Sequence, residues 1–145
     1  MRTVDIDPAA VLATAAALPK DRPVVMINLL RYRERAEYGN RTEFSPCSGR
    51  YAYYQRYAPV STPLVMAEGG KVTWFGHVVG RVIAPPHEVW DDVILVEYPH
   101  FECLQRVFAN PKYQAVVIHR TAALEDSRLL ASVTSQAVIS ESGVR

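Results

Sequence analysis

The chain reads as an α+β protein, one leading helix followed by the order β-α-β-β-α-β. Three observations predict this. Asp7-Pro8 and Asn110-Pro111 each head a helical stretch, with the Asx oxygen as cap and proline at the first helical position. Four short apolar runs rich in β-branched residues are bounded by Gly and Pro. Runs and helices alternate so that two β-α-β halves form, which fold as an antiparallel four-stranded sheet with helices on one face, the ferredoxin-like arrangement.

Taken in order, the first helix covers 8–18 and ends at Leu18-Pro19. VVMINLLRY (Val24–Tyr32) follows Pro23 and predicts a buried strand. Arg33 to Gly49 is charged and carries Gly and Pro, the signature of a loop. Ser48 caps the next helix, on which Tyr53, Tyr57, Val60 and Leu64 recur at i, i+4, i+7 and i+11 and so share a face. Pro59 and Pro63 are expected to divide it into two short pieces, and Gly69-Gly70 ends it. KVTWFGHVV (Lys71–Val79) is a second strand, and Pro85-Pro86 breaks the chain. WDDVILVEY (Trp90–Tyr98) is a third strand, apolar in its middle as when both faces are covered. Pro99 stops it, HFECLQRVFA forms a short helix, and Pro111 opens the next one. SRLLASVTSQAVI (Ser127–Ile139) is the last strand and SESGVR a polar tail. With no repeat and no linker, residues 1–145 are expected to form one domain with its core over about 23–139. So small a sheet leaves one face bare and apolar, and the sheet of a second copy is expected to cover it in a homodimer.

A chain of 145 residues can bury a core without metals or disulfides. Hydrophobic content of 49% and charged content of 21% are globular values, and a net charge of +1 argues against nucleic acid or anionic membrane as partner. Cys47 and Cys103 stand in unlike contexts, giving neither a disulfide framework nor zinc spacing. Asp5 and Asp7 occupy the place where a secretion signal carries basic residues, and no run reaches membrane-spanning length. A soluble cytoplasmic protein is expected. His77, His87, His100 and His119 form no HxH or HxxxH pair, and there is no phosphate-binding glycine motif or nucleophile elbow, so neither metal nor cofactor is expected.

The stretch YQAVVIHRTAALEDSRLLAS, from Tyr113, carries the chemistry that needs explaining. On a helical wheel Val117, Arg120 and Leu124 lie near Tyr113, with Val116 and Ala123 flanking. Arg120 thus sits in the apolar stripe and His119 at its edge. A guanidinium aimed at a core needs partners. It is either held in an internal ion pair (Glu97 is one candidate), or snorkels outward, or lines a cavity between helices and sheet and meets an anionic or carbonyl group of a ligand. Glu125, Asp126 and Arg128 read as a solvated helix end and a salt-bridged turn. Asn28 is polar inside an apolar strand and needs hydrogen bonds, from the structure or from a ligand. Arg31 ends that strand as a rim salt bridge or a ligand contact. Tyr51, Tyr53, Tyr54 and Tyr57 read as core and interface, with Tyr57 best placed to reach a pocket. Trp74 is packing or a substrate platform, His77 structural or exposed, and Cys47 has no basic partner to make it a catalytic thiol.

The segments VVMINLLRYR, SGRYAYYQRYA, GGKVTWFGHV, WDDVILVEYP and NPKYQAVVIHRTAALEDSRLLA, in this order, resemble the domain of unknown function 1330 family of the dimeric α/β-barrel superfamily. The resemblance runs from Pro23 to Ala131 and is most specific from Trp90 to Leu130. It implies a ferredoxin-like protomer whose sheet pairs with a second copy to close a barrel. Cofactor-free monooxygenases of the superfamily use Asn, Trp, Tyr and Arg, parts that Asn28, Trp74, Tyr57 and Arg120 could take; haem-binding members use a helix histidine, for which His119 or His100 would stand. Two further readings remain beside the haem protein. The first is a cofactor-independent enzyme on a small hydrophobic, aromatic or polyketide-like molecule, performing oxygenation, isomerisation or cyclisation. In it His119 moves a proton, Arg120 and Asn28 steady an enolate or oxyanion, and Arg31, Tyr57, Trp74 and Tyr113 bind substrate. The second is a non-catalytic binding or accessory protein on the same scaffold.

Overall fold

The computed structural model describes residues 1–135, 139–140 and 143–144. Helix α1 (Pro8–Ala17) begins where Asp7 accepts the amides of Ala9 and Ala10. Strand β1 (Val24–Tyr32) is the centre of the sheet. A helical run follows: α2 (Gly49–Tyr51), a π-helical segment (Ala52–Tyr57) and α3 (Ala58–Ala67). Strands β2 (Lys71–His77) and β3 (Asp92–Tyr98) precede α4 (Phe101–Ala109), α5 (Pro111–Ala123) and β4 (Leu124–Ser132). The sheet order is β2-β3-β1-β4, with β1–β3, β1–β4 and β2–β3 all antiparallel, so the fold is ferredoxin-like and the sheet is open. Strands β5 (Ile139–Ser140) and β6 (Gly143–Val144) form a separate pair.

The helical run differs from the expected two pieces. Proline at 59 would push its ring into the carbonyl four residues back, and the chain relieves this by widening the turn ahead of it. The amide of Ala58 reaches the carbonyl of Tyr53, an i−5 bond, so the run continues unbroken through Pro63. The widened turn carries one extra residue, which advances the inward face by one position beyond it. Tyr53 and Tyr57 are buried as the periodicity predicts, but Ser61 then faces in, and Val60 is 38% exposed.

The last strand begins earlier than expected. Leu124 already has extended angles, so α5 passes into β4 with no turn between them. Glu125, Asp126 and Arg128 are therefore strand residues. Glu125 takes ion pairs from Arg2 and Arg33, and Arg128 pairs with Asp126 at 2.6 Å while lying over the Trp90 ring. The strand ends at Ser132; the remainder of the expected span at 136–138, and residues 141, 142 and 145 of the expected tail, lie outside the described residues.

One face of the sheet meets the helices through Val24, Met26 and Leu30, all nearly fully buried. Among the described residues no helix lies on the other face. Across it runs a row of Trp74, Leu95, Ile27 and Leu130, set side by side by the strand registers. Trp74 and Leu130 are 53% and 52% exposed. Trp74 lies flat on Gly76, where any Cβ would fall inside its ring.

Three backbone segments converge at Gly49. Its amide donates to Arg33's carbonyl at 3.0 Å, Arg33's amide donates to Ala123's carbonyl at 2.8 Å, and a Cβ on Gly49 would overlap both carbonyl oxygens. Gly49→Ala is therefore expected to lower the unfolding free energy by more than about 2 kcal/mol in urea denaturation. An unchanged midpoint would show that this junction yields.

Candidate functional site

Between sheet and helices lies a cavity of about 510 Å³. Its floor is the inner face of the sheet, where Met26, Asn28, Ile94 and Val96 alternate inward. Its roof is the tyrosine face of the helical run together with α5, and Ile6 closes one side. Tyr57 and Tyr113 are hydrogen-bonded through their hydroxyls at 2.9 Å, both buried. Burial pushes the phenols of Tyr53 and Tyr113 far above their usual range, so both remain neutral donors.

Arg120 reaches the same space. It is 6% exposed, and its Nη1 donates to the carbonyl of Val4. No ion pair involves Arg120 among the described residues. Glu97, its candidate partner, lies between the inward Val96 and Tyr98 on β3 and so points to the open face, where it pairs instead with Lys71 at 3.4 Å. The cation borders both the main cavity and a second one of about 260 Å³ beneath the N-terminal segment. Asn28 is on the floor, its Nδ2 donating to the Ile94 carbonyl at 3.2 Å. Of the residues expected to form the site, Arg120, Asn28, Tyr57 and Tyr113 are thus brought together.

Three others are placed elsewhere. Strand β2 has a bulge: Val72 pairs with Val96 and Trp74 with Leu95, leaving Thr73 as the extra residue. Simple alternation puts Trp74 on the face of Val72; the bulge turns it to the open face and brings Phe75 into the cavity in its place. Arg31 also points to the open face, opposite Asp126, since Leu30 faces in; it has no ion pair among the described residues. His119 lies outside the cavity beneath the 33–48 loop, with its Nδ1 2.7 Å from the Tyr38 hydroxyl and its ring against Phe44. His100, the other helix histidine considered, stands beside the Cys103 thiol at the head of α4. Among the described residues no group of three or more His, Cys, Asp or Glu could hold a metal, and no helix is long and apolar enough to cross a membrane.

Sequence reading missed the polar end of the site. Asp92 is fully buried at the start of β3. Its Oδ2 accepts from Tyr32 and Tyr54, each at 2.7 Å, and from Arg50 at 3.0 Å, while its Oδ1 accepts from His77 Nδ1 at 2.6 Å. Burial alone would raise the Asp92 carboxyl; the hydrogen bonds from Tyr54, His77 and Tyr32 and the charge of Arg50 outweigh it and hold the group below the usual carboxylate range. Tyr54 and Phe75 connect this cluster to the cavity. The one signal available beforehand was an aspartate opening an apolar strand. Its partners come from β1, α2, the π-helical segment and β2, and no local spacing assembles them.

No family model matches the chain, and no curated protein does. Among solved structures, the RPA0582 protein of Rhodopseudomonas palustris, described as a protein of unknown function, is 34% identical over 94% of this chain and 99% of that one, with a TM-score of 0.81. The chain belongs to the RPA0582 family. The methylated RPA0582 protein superposes with a TM-score of 0.82 at 33% identity, covering 93% of this chain and 96% of that one.

The environment of His119 has a measurable consequence. Tyr38's hydroxyl accepts from Arg56 and so donates its own hydrogen to His119 Nδ1, which suits the neutral ring. Burial, then the charges of Arg56 and Arg41, hold His119 below its ordinary value. The unfolded chain therefore takes up this proton at a higher pH than the folded one. The contribution of the neutral ring is fully present above about pH 6.5 and is lost as pH falls through the lower folded value. Chemical denaturation of the wild type should show its midpoint falling from about pH 7.5 to 5, and His119→Gln should show a smaller fall. Parallel pH curves for the two proteins would contradict this.

Proposed function

We propose that the cavity takes up a small, largely apolar or aromatic molecule carrying a carboxylate or carbonyl group, and that the protein acts on it without a cofactor. One observation carries the reading: Arg120 is a buried cation with a backbone carbonyl as its partner, bordering an apolar cavity large enough for such a molecule. A cation buried without a counter-charge costs several kcal/mol, and a ligand carboxylate would offset that cost. Asn28 and the Tyr57–Tyr113 pair are the neutral polar contacts, and the apolar floor takes the hydrocarbon part. A non-catalytic carrier of the same ligand is the second reading, favoured by the largely apolar and aromatic lining.

With 2-naphthoate as probe, isothermal titration calorimetry is expected to give binding that Arg120→Met weakens at least tenfold, the equivalent of one charged hydrogen bond of about 1.5–3 kcal/mol. The melting temperature should stay within a few degrees of wild type. Equal affinity in the two proteins would sink the reading.

The same proposal includes a homodimer through the open sheet face. Its support is the apolar row of Trp74, Leu95, Ile27 and Leu130, together with Val79, Val82 and Ile83 on the β2–β3 connection, which are almost fully exposed. Sedimentation equilibrium should return a dimer at micromolar concentration and a monomer for Leu130→Arg. A monomeric wild type would remove this part of the proposal.

A further inference from the structure

Three oxygens meet where the cavity abuts the start of β3: the hydroxyls of Tyr32 and Tyr54 and Oδ2 of Asp92. Each phenol lies 2.7 Å from Oδ2, and the phenols lie 2.6 Å from one another. All three are hydrogen-bond distances. There are protons for only two of them, because each phenol carries one and an ionised carboxylate none. Arg50 and His77 also donate to the carboxylate but serve neither phenol. One short oxygen–oxygen edge is therefore left without a hydrogen, in a cluster whose carboxylate is fully buried. Unpaired lone-pair contacts are costly in such surroundings; the donors that hold Asp92 ionised keep the cluster one proton short at rest, so a proton relayed into it is held only transiently. Tyr54 is the member of the trio that lines the cavity; Tyr32 and Asp92 stand behind it.

We infer that Tyr54, backed by Asp92 and Tyr32, is the proton-accepting catalytic residue of this cavity, and that its substrate is an enolisable carbonyl compound bearing a carboxylate and an apolar tail. The inference rests on the cavity reading above, with Arg120 taking the carboxylate. In the step, the C–H bond beside the carbonyl breaks and its electron pair forms a carbon–carbon double bond, while the carbonyl π pair moves onto oxygen to give an enolate. The released proton forms a new O–H bond at Tyr54 as Tyr54's own proton passes to Asp92 Oδ2. Three protons then serve three edges. Return of a proton by the reverse route, to the same or the neighbouring atom, completes an exchange or tautomerisation, and nothing is oxidised or reduced. Asn28 has a second amide hydrogen beyond the one given to Ile94, suited to the enolate oxygen. Arg50 from α2 and His77 from β2 are positioning residues that keep the carboxylate charged and oriented, and Asp91 anchors the Tyr32 amide.

The test uses phenylpyruvate, whose methylene protons exchange with deuterium in heavy water and are followed by proton NMR. The wild type is expected to accelerate exchange above the buffer rate. Tyr54→Phe should lose about 10²-fold or more of that acceleration while still binding 2-naphthoate. Asp92→Asn strips a buried charge from four partners and endangers the fold, so Tyr32→Phe serves as the second variant, and it too should slow exchange. His77→Gln should change the pH dependence of the rate, which a purely structural histidine would leave alone. Binding of phenylpyruvate with exchange at the buffer rate, or equal rates in wild type and Tyr54→Phe, overturns the inference and leaves the cavity reading standing. Failure of the wild type to bind either phenylpyruvate or 2-naphthoate overturns both.

Discussion

The junction at Gly49 fixes the geometry on which the site depends. Arg33 at the end of β1 donates to Ala123 at the end of α5, Glu37 donates to Ala122, and Gly49 donates back to Arg33. Gly49 fits between these carbonyls because it has no side chain. The end of the central strand, the start of the helical run and the end of α5 are thus locked together through backbone bonds alone. Since α5 runs into β4 without a turn, and β4 pairs with β1, the rotation of α5 about its own axis is also set. Arg120, one turn before that junction, is aimed inward by it. On the other side, Ser48 caps the helical run at the Tyr51 amide, which sets the register that carries Arg50 and Tyr54 to Asp92.

Much of this was legible in the chain wherever the controlling interactions are local. The caps at Asp7, Ser48 and Asn110 are side-chain-to-backbone bonds over two or three residues, and each helix starts where they predict. The wheel placed Arg120 in the buried stripe because α5 is regular. Two of the misreadings share one cause, an extra residue inside a regular element. At Thr73 it moved Trp74 out of the cavity and Phe75 in; in the π-helical segment it exchanged Val60 for Ser61. Neither Pro59 nor the β2 run announces whether the chain will break or widen, since that depends on what packs against it. The Asp92 cluster was illegible for a different reason. Its donors lie between 15 and 60 residues away in sequence, and only the finished sheet brings them together.

Arg120 is a local exception to the economy of the rest of the core. Around it lie Tyr53 and Tyr113, whose phenols it would favour in ionised form, yet burial dominates and keeps them neutral. Its bond to Val4 ties α5 to the N-terminal segment, which Thr3, Asp126 and Ser127 also fasten to β4. A methionine in its place could fill the volume at lower electrostatic cost. A neutral carbonyl is a weak match for a guanidinium that can grip a carboxylate through two parallel bonds. The segment bearing Val4 and Ile6 therefore works as a wall of the cavity and as the partner of Arg120.

The two buried charges also give the cavity a direction. Arg120 stands on α5 and Asp92 at the start of β3, where Arg50 and His77 hold it as an anion. Inside a poorly solvated space each charge is felt strongly. An anionic ligand, as proposed, would be drawn toward Arg120 and repelled from the carboxylate behind Tyr54, so its charged group and its hydrocarbon part could not exchange places at equal cost. Apolar walls contribute binding without orientation, since the hydrophobic effect has no direction. In the proposed complex the orientation comes from the charges, and it turns the part of an acid beyond its carboxylate toward the hydroxyl of Tyr54.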